Sequence, residues 1–258
     1  MSLIKIGELF SRSIAIVISR IVPVGIVRAI HVAIAMGVSA WGTRGLMNAL
    51  KDATPEGTVA NPQNIQEILG ALPQEQVMDL VFAPQMWIAV VVNIIIFLWA
   101  QGAAYLALYP HPKNPGAGEP RALPGILLGA VGLMFPLIIV NICYAALTMV
   151  GLALLLVPGV WLAVKYSFAP LLLVTEGQSA FASFSRSSEL VSGSWMGLFG
   201  RLLVCGVVAI VGNMLLSFIP VVGPIAAQLL FPPFVMAWQI VLFENLKEMK
   251  GSSVETAA

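Results

Sequence analysis

The chain has 258 residues, 59% of them hydrophobic and only 10% charged, with a mean hydropathy of +0.94. A water-soluble surface needs roughly a quarter of its residues charged, so a soluble globular domain is excluded and an all-α integral membrane protein is expected. A net charge of +1 gives no basic field for nucleic acid. The two cysteines, Cys143 and Cys205, sit in apolar runs without metal-ligand spacing and read as buried free thiols.

Residues 3–20 read as an amphipathic interfacial helix. Leu3, Ile6, Phe10, Ile14 and Val17 recur at helical spacing, with Lys5, Glu8 and Arg12 on the opposite stripe. Those three charges also interrupt any apolar leader core, so the segment is read as part of the mature chain. Pro23 is expected to break this helix, and Val24 to Trp41 to form the first span.

Residues 42–85 form the long polar stretch, punctuated by Pro55, Gly57, Asn61 and Pro62. Here Ile65, Ile68, Leu69 and Leu72, then Val77, Leu80 and Val81, predict two short helices split by Pro73, in an extracytoplasmic loop. Met86 to Tyr109 is a second span without a charge.

A Pro- and Gly-rich connector, 110–124, leads to an apolar run from Gly125 to Val157 that is too long for one straight crossing. It is expected to divide near Met134 into an interfacial lead-in and a third span. Pro158-Gly159 then predicts a turn, and Val160 to Val174 a fourth span. Residues 178–196 read as a second interfacial amphipathic helix, with Phe181, Phe184, Val191 and Trp195 on one face. Phe199 to Phe218 and Ile225 to Phe243 are the fifth and sixth spans, the last kinked at Pro232-Pro233. Residues 246–258 are left as a cytoplasmic tail, and 1–258 as one membrane domain of about six transmembrane helices.

Charge orients these spans. Lys5, Arg12, Arg20, Lys113, Arg121, Arg186, Arg201, Lys247 and Lys250 fall on one side by alternation. The other side holds Arg44 and Lys51 among five carboxylates, so the lysine and arginine bias predicts both termini in the cytoplasm. An amphipathic lead-in before a span pair, near Leu3, Arg121 and Ser179, raises a possible threefold internal repeat.

The catalytic vocabulary is sparse. There are two histidines, His31 and His111, no HExxH or GxSxG motif, and no Asp or Glu inside a span. A non-enzyme without metal or cofactor is therefore expected. Arg28 and His31 lie three apart on the first span and share a face. They read either as a cationic ligand pocket or, for Arg28, as a side chain snorkelling to the interface. Lys165 on the fourth span reads either as facing a cavity or binding a phosphate, or as snorkelling outward or capping carbonyls of a neighbouring helix. Asn93, Gln101, Asn141, Asn213, Gln228 and Gln239 read as interhelical glue or as a polar path. Gly125-x-x-x-Gly129 and Gly193-x-x-x-Gly197 offer close helix approach, and Trp87, Trp99, Trp161, Trp195 and Trp238 an interfacial aromatic belt.

One stretch carries a resemblance. Val157-Pro-Gly-Val-Trp-Leu-Ala-Val-Lys-Tyr-Ser-Phe-Ala-Pro-Leu-Leu-Leu-Val-Thr-Glu-Gly177, with Ala180-Phe-Ala-Ser-Phe-Ser-Arg-Ser-Ser-Glu-Leu190 and Gly193-Ser-Trp195, resembles the YciC-like family of bacterial inner-membrane proteins. It is also similar to the membrane domain attached to some glycerophosphodiester phosphodiesterases. Ile6-Gly-Glu-Leu-Phe-Ser-Arg-Ser13 and Pro73-Gln-Glu-Gln76 add to the likeness. The resemblance implies a multi-pass protein of the bacterial inner membrane and lends no catalytic residue, because the phosphodiesterase barrel is a separate domain. The expected function is non-catalytic, binding membrane lipid or a membrane-protein partner or a second copy in envelope homeostasis. The alternative is a small transporter, lipid-moving protein or channel using Arg28, His31 and Lys165.

Overall fold

A computed structural model of the protein describes residues 3–53, 73–109, 122–220 and 222–255. Among them are eleven α-helices: α1 (Ile6–Ser19), α2 (Ile21–Gly42), α3 (Arg44–Ala53), α4 (Gln74–Val81), α5 (Pro84–Leu108), α6 (Leu123–Leu154), α7 (Leu156–Lys165), α8 (Ala169–Glu176), α9 (Ala180–Val191), α10 (Trp195–Ser217) and α11 (Val222–Glu255). No strand occurs among the described residues. Six segments are long and apolar enough to cross a bilayer: α2, Val77–Leu108, α6, α7 with α8, α10 and Val222–Gly251 of α11. The protein is an all-α, multi-pass membrane protein.

The chain packs as two compact units, one of residues 1–30 with 98–258, the other of residues 31–97. In the larger unit α11 is central: Ala237, Trp238, Leu242, Phe243 and Leu246 are fully buried, and α1, α9 and α10 all pack on it. Trp238 therefore belongs to the core rather than to an aromatic belt. Beyond Phe243 the helix continues to Glu255, so the expected tail from 246 is mostly helical. Lys250 Nζ donates to the carbonyls of Glu189 (2.8 Å) and Ser192 (3.0 Å), satisfying orphan acceptors at the end of α9.

Helix α1 ends earlier than its proline predicts. The break is at Arg20, whose N–H bonds back to Ile16 and Val17. Pro23 instead sits in the first turn of α2, where a missing N–H costs nothing. Leu9 and Ser13 are buried against the bundle, while Ile6 and Phe10 remain exposed. The segment before α1 is pinned by Arg201, which donates to the carbonyls of Leu3 and Ile4, and by Asn245, which accepts from the Ile4 N–H.

Helix α6 is continuous through Pro136 and has no division at Met134. Its 32 residues at ~1.5 Å each reach about 48 Å, longer than the ~30 Å hydrocarbon core. With no separate lead-in here, the threefold repeat lacks its middle member. The turn after α6 is not Pro158-Gly159 but the single extended residue Leu155, with φ −164° and ψ 152°. The Leu155 N–H bonds to Gly151 and its carbonyl accepts from Gly159. Pro158 thus falls in the first turn of α7, and Gly159 is where α7 meets α6. A Cβ on Gly151 would lie 2.8 Å from the Gly159 Cα, and one on Gly159 would lie 2.6 Å from the Leu152 nitrogen. Each expected GxxxG pair has one member at a close approach, Gly129 against Leu106 and Gly197 against Leu3, while a Cβ on Gly125 meets nothing within 4 Å and Gly193 is needed for its φ of +81°.

The fourth span is broken at Tyr166–Phe168, between α7 and α8. Pro170 has no N–H for the Tyr166 carbonyl, so the Ala169 N–H bonds there instead (3.1 Å). That shift strands the Lys165 carbonyl, and Ser187 Oγ of α9 donates to it at 2.9 Å. Ser187 and Ser183 are fully buried, and Phe181 is exposed. The packed face of α9 therefore carries Ala180, Ser183 and Ser187 together with Leu190 and Val191, with Phe184 partly buried beside it.

In the smaller unit Gly42 packs against Ala89. Asn93 Nδ2 donates to Ser39 Oγ (3.3 Å), as interhelical glue should. Helix α4 fits the second of the two short helices expected in the polar stretch, and α3 was not expected. The first of that pair, at 65–72, lies outside the described residues.

Candidate lipid-facing sites and the buried cations

Arg28 is 2% exposed, so it does not snorkel. Its Nε and Nη2 donate to the Gln228 carbonyl at 3.2 and 2.8 Å. In an α-helix that carbonyl accepts the N–H of the residue four further on, here Pro232, which has none. Arg28 therefore completes the hydrogen bond that Pro232 removes from α11. A polar group left unpaired in hydrocarbon is costly, so this contact accounts for an arginine so deep in the first span.

Lys165 is half-buried at the end of α7. Its Nζ lies 4.4 Å from the Trp161 ring centroid and 5.4 Å from that of Tyr166, a cation–π arrangement. Tyr166 in turn meets Phe184 edge-on, and the Trp195 indole N–H donates to the Trp161 carbonyl at 3.2 Å. His31 is 6% exposed and edge-on to Phe97 within the smaller unit. The cationic pair of Arg28 and Lys165 is not assembled into one site: neither lines any of the three cavities below.

Two of those cavities flank α1. The first, about 250 Å³, is wholly apolar and lined by Phe10, Ile14 and Val17 of α1, Val208 of α10, and Phe231 and Phe234 of α11. The second, about 320 Å³, lies on the other edge of α1, between Arg12 and Ala15 and the Glu244, Asn245 and Glu248 turn of α11. The third, about 330 Å³, is an open cleft between α6, α7, α10 and α11. It carries Tyr144, Ser167, Gln239 and Cys205 among apolar side chains. Sequence periodicity shows none of these, because each is made by helices far apart in the chain.

The amides mostly act as glue. Asn141 Nδ2 donates to Gln101 Oε1 at 3.1 Å, and Tyr105 donates to Gln239 Oε1 at 2.7 Å. Just past α5, the Tyr109 hydroxyl donates to Glu244 Oε1 at 2.6 Å, and Lys247 reaches Glu176 at 3.5 Å. Burial first, then the bond to Glu244 and the charges of Glu244 and Glu176, push the Tyr109 phenol above its usual range. A raised folded pKa contributes stability that is intact below the unfolded value of about 10 and is lost as pH climbs past it. Stability in detergent should therefore fall above about pH 10, and Tyr109→Phe should flatten that fall. An unchanged slope in the variant would remove Tyr109 from the linkage.

Among the described residues no cluster of His, Cys, Asp or Glu is placed to hold a metal ion. No family model, curated protein or solved structure matches the chain, so a functional reading rests on the geometry of these helices.

Proposed function

We propose that this protein is a non-catalytic, lipid-binding module of the bacterial inner membrane, of the YciC-like kind, with both termini in the cytoplasm and a role in envelope homeostasis. The observation that carries this reading is the division made by α1. One edge borders a purely apolar cavity and the other a cavity lined by Arg12, Glu244 and Glu248. A helix with a purely apolar groove on one edge and charged side chains among the apolar lining of the other fits the membrane–water boundary, and the apolar groove suits an acyl chain. The resembling segment has structural work to do: Gly159 packs the hairpin, Pro170 breaks the span and Ser187 caps the break.

The transport alternative leans on Arg28, His31 and Lys165 as a path. Arg28 is committed to the Gln228 carbonyl and Lys165 to aromatic rings, which leaves that path without its cations. Purified protein should retain phospholipid through size exclusion in mild detergent, measured by mass spectrometry. Val17→Asp, which puts a carboxylate into the apolar groove, should lower that retention several-fold. Anion flux in proteoliposomes of the parent, abolished by Arg28→Ala or Lys165→Ala, would decide for the transporter instead.

A further inference from the structure

The cavity between α6, α7, α10 and α11 has a composition unlike the groove under α1. It lies along the middle of α10, at Leu202, Leu203, Cys205 and Gly206, within a segment apolar enough to span the bilayer. Its polar groups are placed rather than random. Tyr144 Oη donates to the Ala163 carbonyl (3.1 Å) and has the Thr148 hydroxyl as a second partner, which leaves it one lone pair, and Ser167 Oγ donates to the Val164 carbonyl (2.9 Å) with its lone pairs kept to accept with. Gln239 uses its carbonyl oxygen to accept from Tyr105, which leaves its amide nitrogen to donate. One donor and two acceptors thus line a space that no charged side chain borders.

That inventory selects a ligand. A phosphate in this cavity would be an uncompensated charge at membrane depth, which is prohibitive. Hydroxyl and ester groups, by contrast, find a complementary partner each, and the surrounding Val160, Phe199 and Val235 suit hydrocarbon. At about 30 Å³ per water-sized group, 330 Å³ admits roughly ten such groups, enough for a glycerol backbone with its esters. We propose that this cavity binds the hydroxyl-ester head of an uncharged lipid of the diacylglycerol class, its chains leaving past Leu203, which is 53% exposed. The proposal rests on the lipid-binding reading above and names a second site, and a second lipid class, within it.

The test uses the full chain in nanodiscs with two diazirine-bearing probes, a diacylglycerol and a phosphatidylglycerol, and maps cross-links by peptide mass spectrometry. The diacylglycerol probe should label peptides bearing residues 160–167 and 202–206, and the phosphatidylglycerol probe should not. Gly206→Leu fills the cavity without a clash at its Cβ, which would meet nothing within 4 Å. It should cut that labelling at least five-fold while leaving labelling near Phe10 and Val17 intact. Leu203→Trp, which covers the mouth from the lipid side, should do the same and guards against misfolding of the first variant. Equal cavity labelling by both probes, or labelling that both variants leave unchanged, overturns the proposal. Labelling of the α1 groove alone overturns this site but spares the wider reading, whereas labelling nowhere removes both.

Discussion

Gly159→Val is expected to destabilise the protein by about 3 kcal/mol, at the upper end of what overpacking costs. The reason is that the side chain and the main chain of Leu152 both stand in the way. A Cβ on Gly159 lies 2.6 Å from the Leu152 nitrogen, and Gly151 stands opposite with its own Cβ direction closed by the Gly159 Cα at 2.8 Å. A side chain in the way can rotate, but a packed helix backbone has to translate, and here it would separate α6 from α7. Gly206→Ala is the matched comparison, since its Cβ enters open space and the change should stay within about 0.5 kcal/mol. Unfolding in mixed micelles, followed by circular dichroism against sodium dodecyl sulfate fraction, reads both. Equal midpoints for Gly159→Val and Gly206→Ala would mean that α6 and α7 do not meet at Gly159.

The second large effect belongs to Arg28. Arg28→Met keeps the length and removes the donors, leaving the Gln228 carbonyl orphaned, at a cost of about 1–3 kcal/mol. The partner of this effect is a residue Arg28 need not touch. Pro232→Ala returns an N–H to α11 and lets Gln228 be satisfied within its own helix. In that background Arg28→Met should cost little, and removing a buried charge can then be neutral or stabilising. A coupling of at least about 1 kcal/mol between positions 28 and 232 is therefore expected in the double-mutant cycle. Strict additivity would mean that the arginine is held in the span by something other than the carbonyl freed by Pro232.

These two sites mark where sequence reading succeeds and where it stops. Uninterrupted apolar length identifies the membrane-crossing segments, because hydrocarbon thickness acts on each helix separately. The α5 span and the α10 span fall within a few residues of expectation for that reason. Boundaries set by partners are less legible. Arg28 and Pro232 are each visible in the sequence, one as an intramembrane charge and one as a helix proline, but nothing local pairs two residues 204 positions apart. Pro158-Gly159 has the composition of a turn and the structure of a helix start, because tertiary packing claimed the glycine. Likewise the serines on the buried faces of α1 and α9 are legible only through the partners that satisfy them. A bundle interface admits Ser13, Ser183 and Ser187 when their hydroxyls are bonded, while membrane lipid tolerates Phe10 and Phe181 outside.

The single-residue turn at Leu155 bears on how the protein is made. The apex from Leu154 to Val157 is apolar and more than two-thirds exposed, so no hydrophilic segment has to be translocated between α6 and α7. Helix α7 is ten residues long, about 15 Å, too short to partition into a bilayer by itself. Together with α8 it makes up the fourth membrane-crossing segment, Leu156–Glu176, so that crossing is complete only once synthesis has passed the end of α8. A hydrophilic tag inserted at this connection would have to be carried to the apex of the hairpin, a load that the native apolar turn never imposes on the nascent chain.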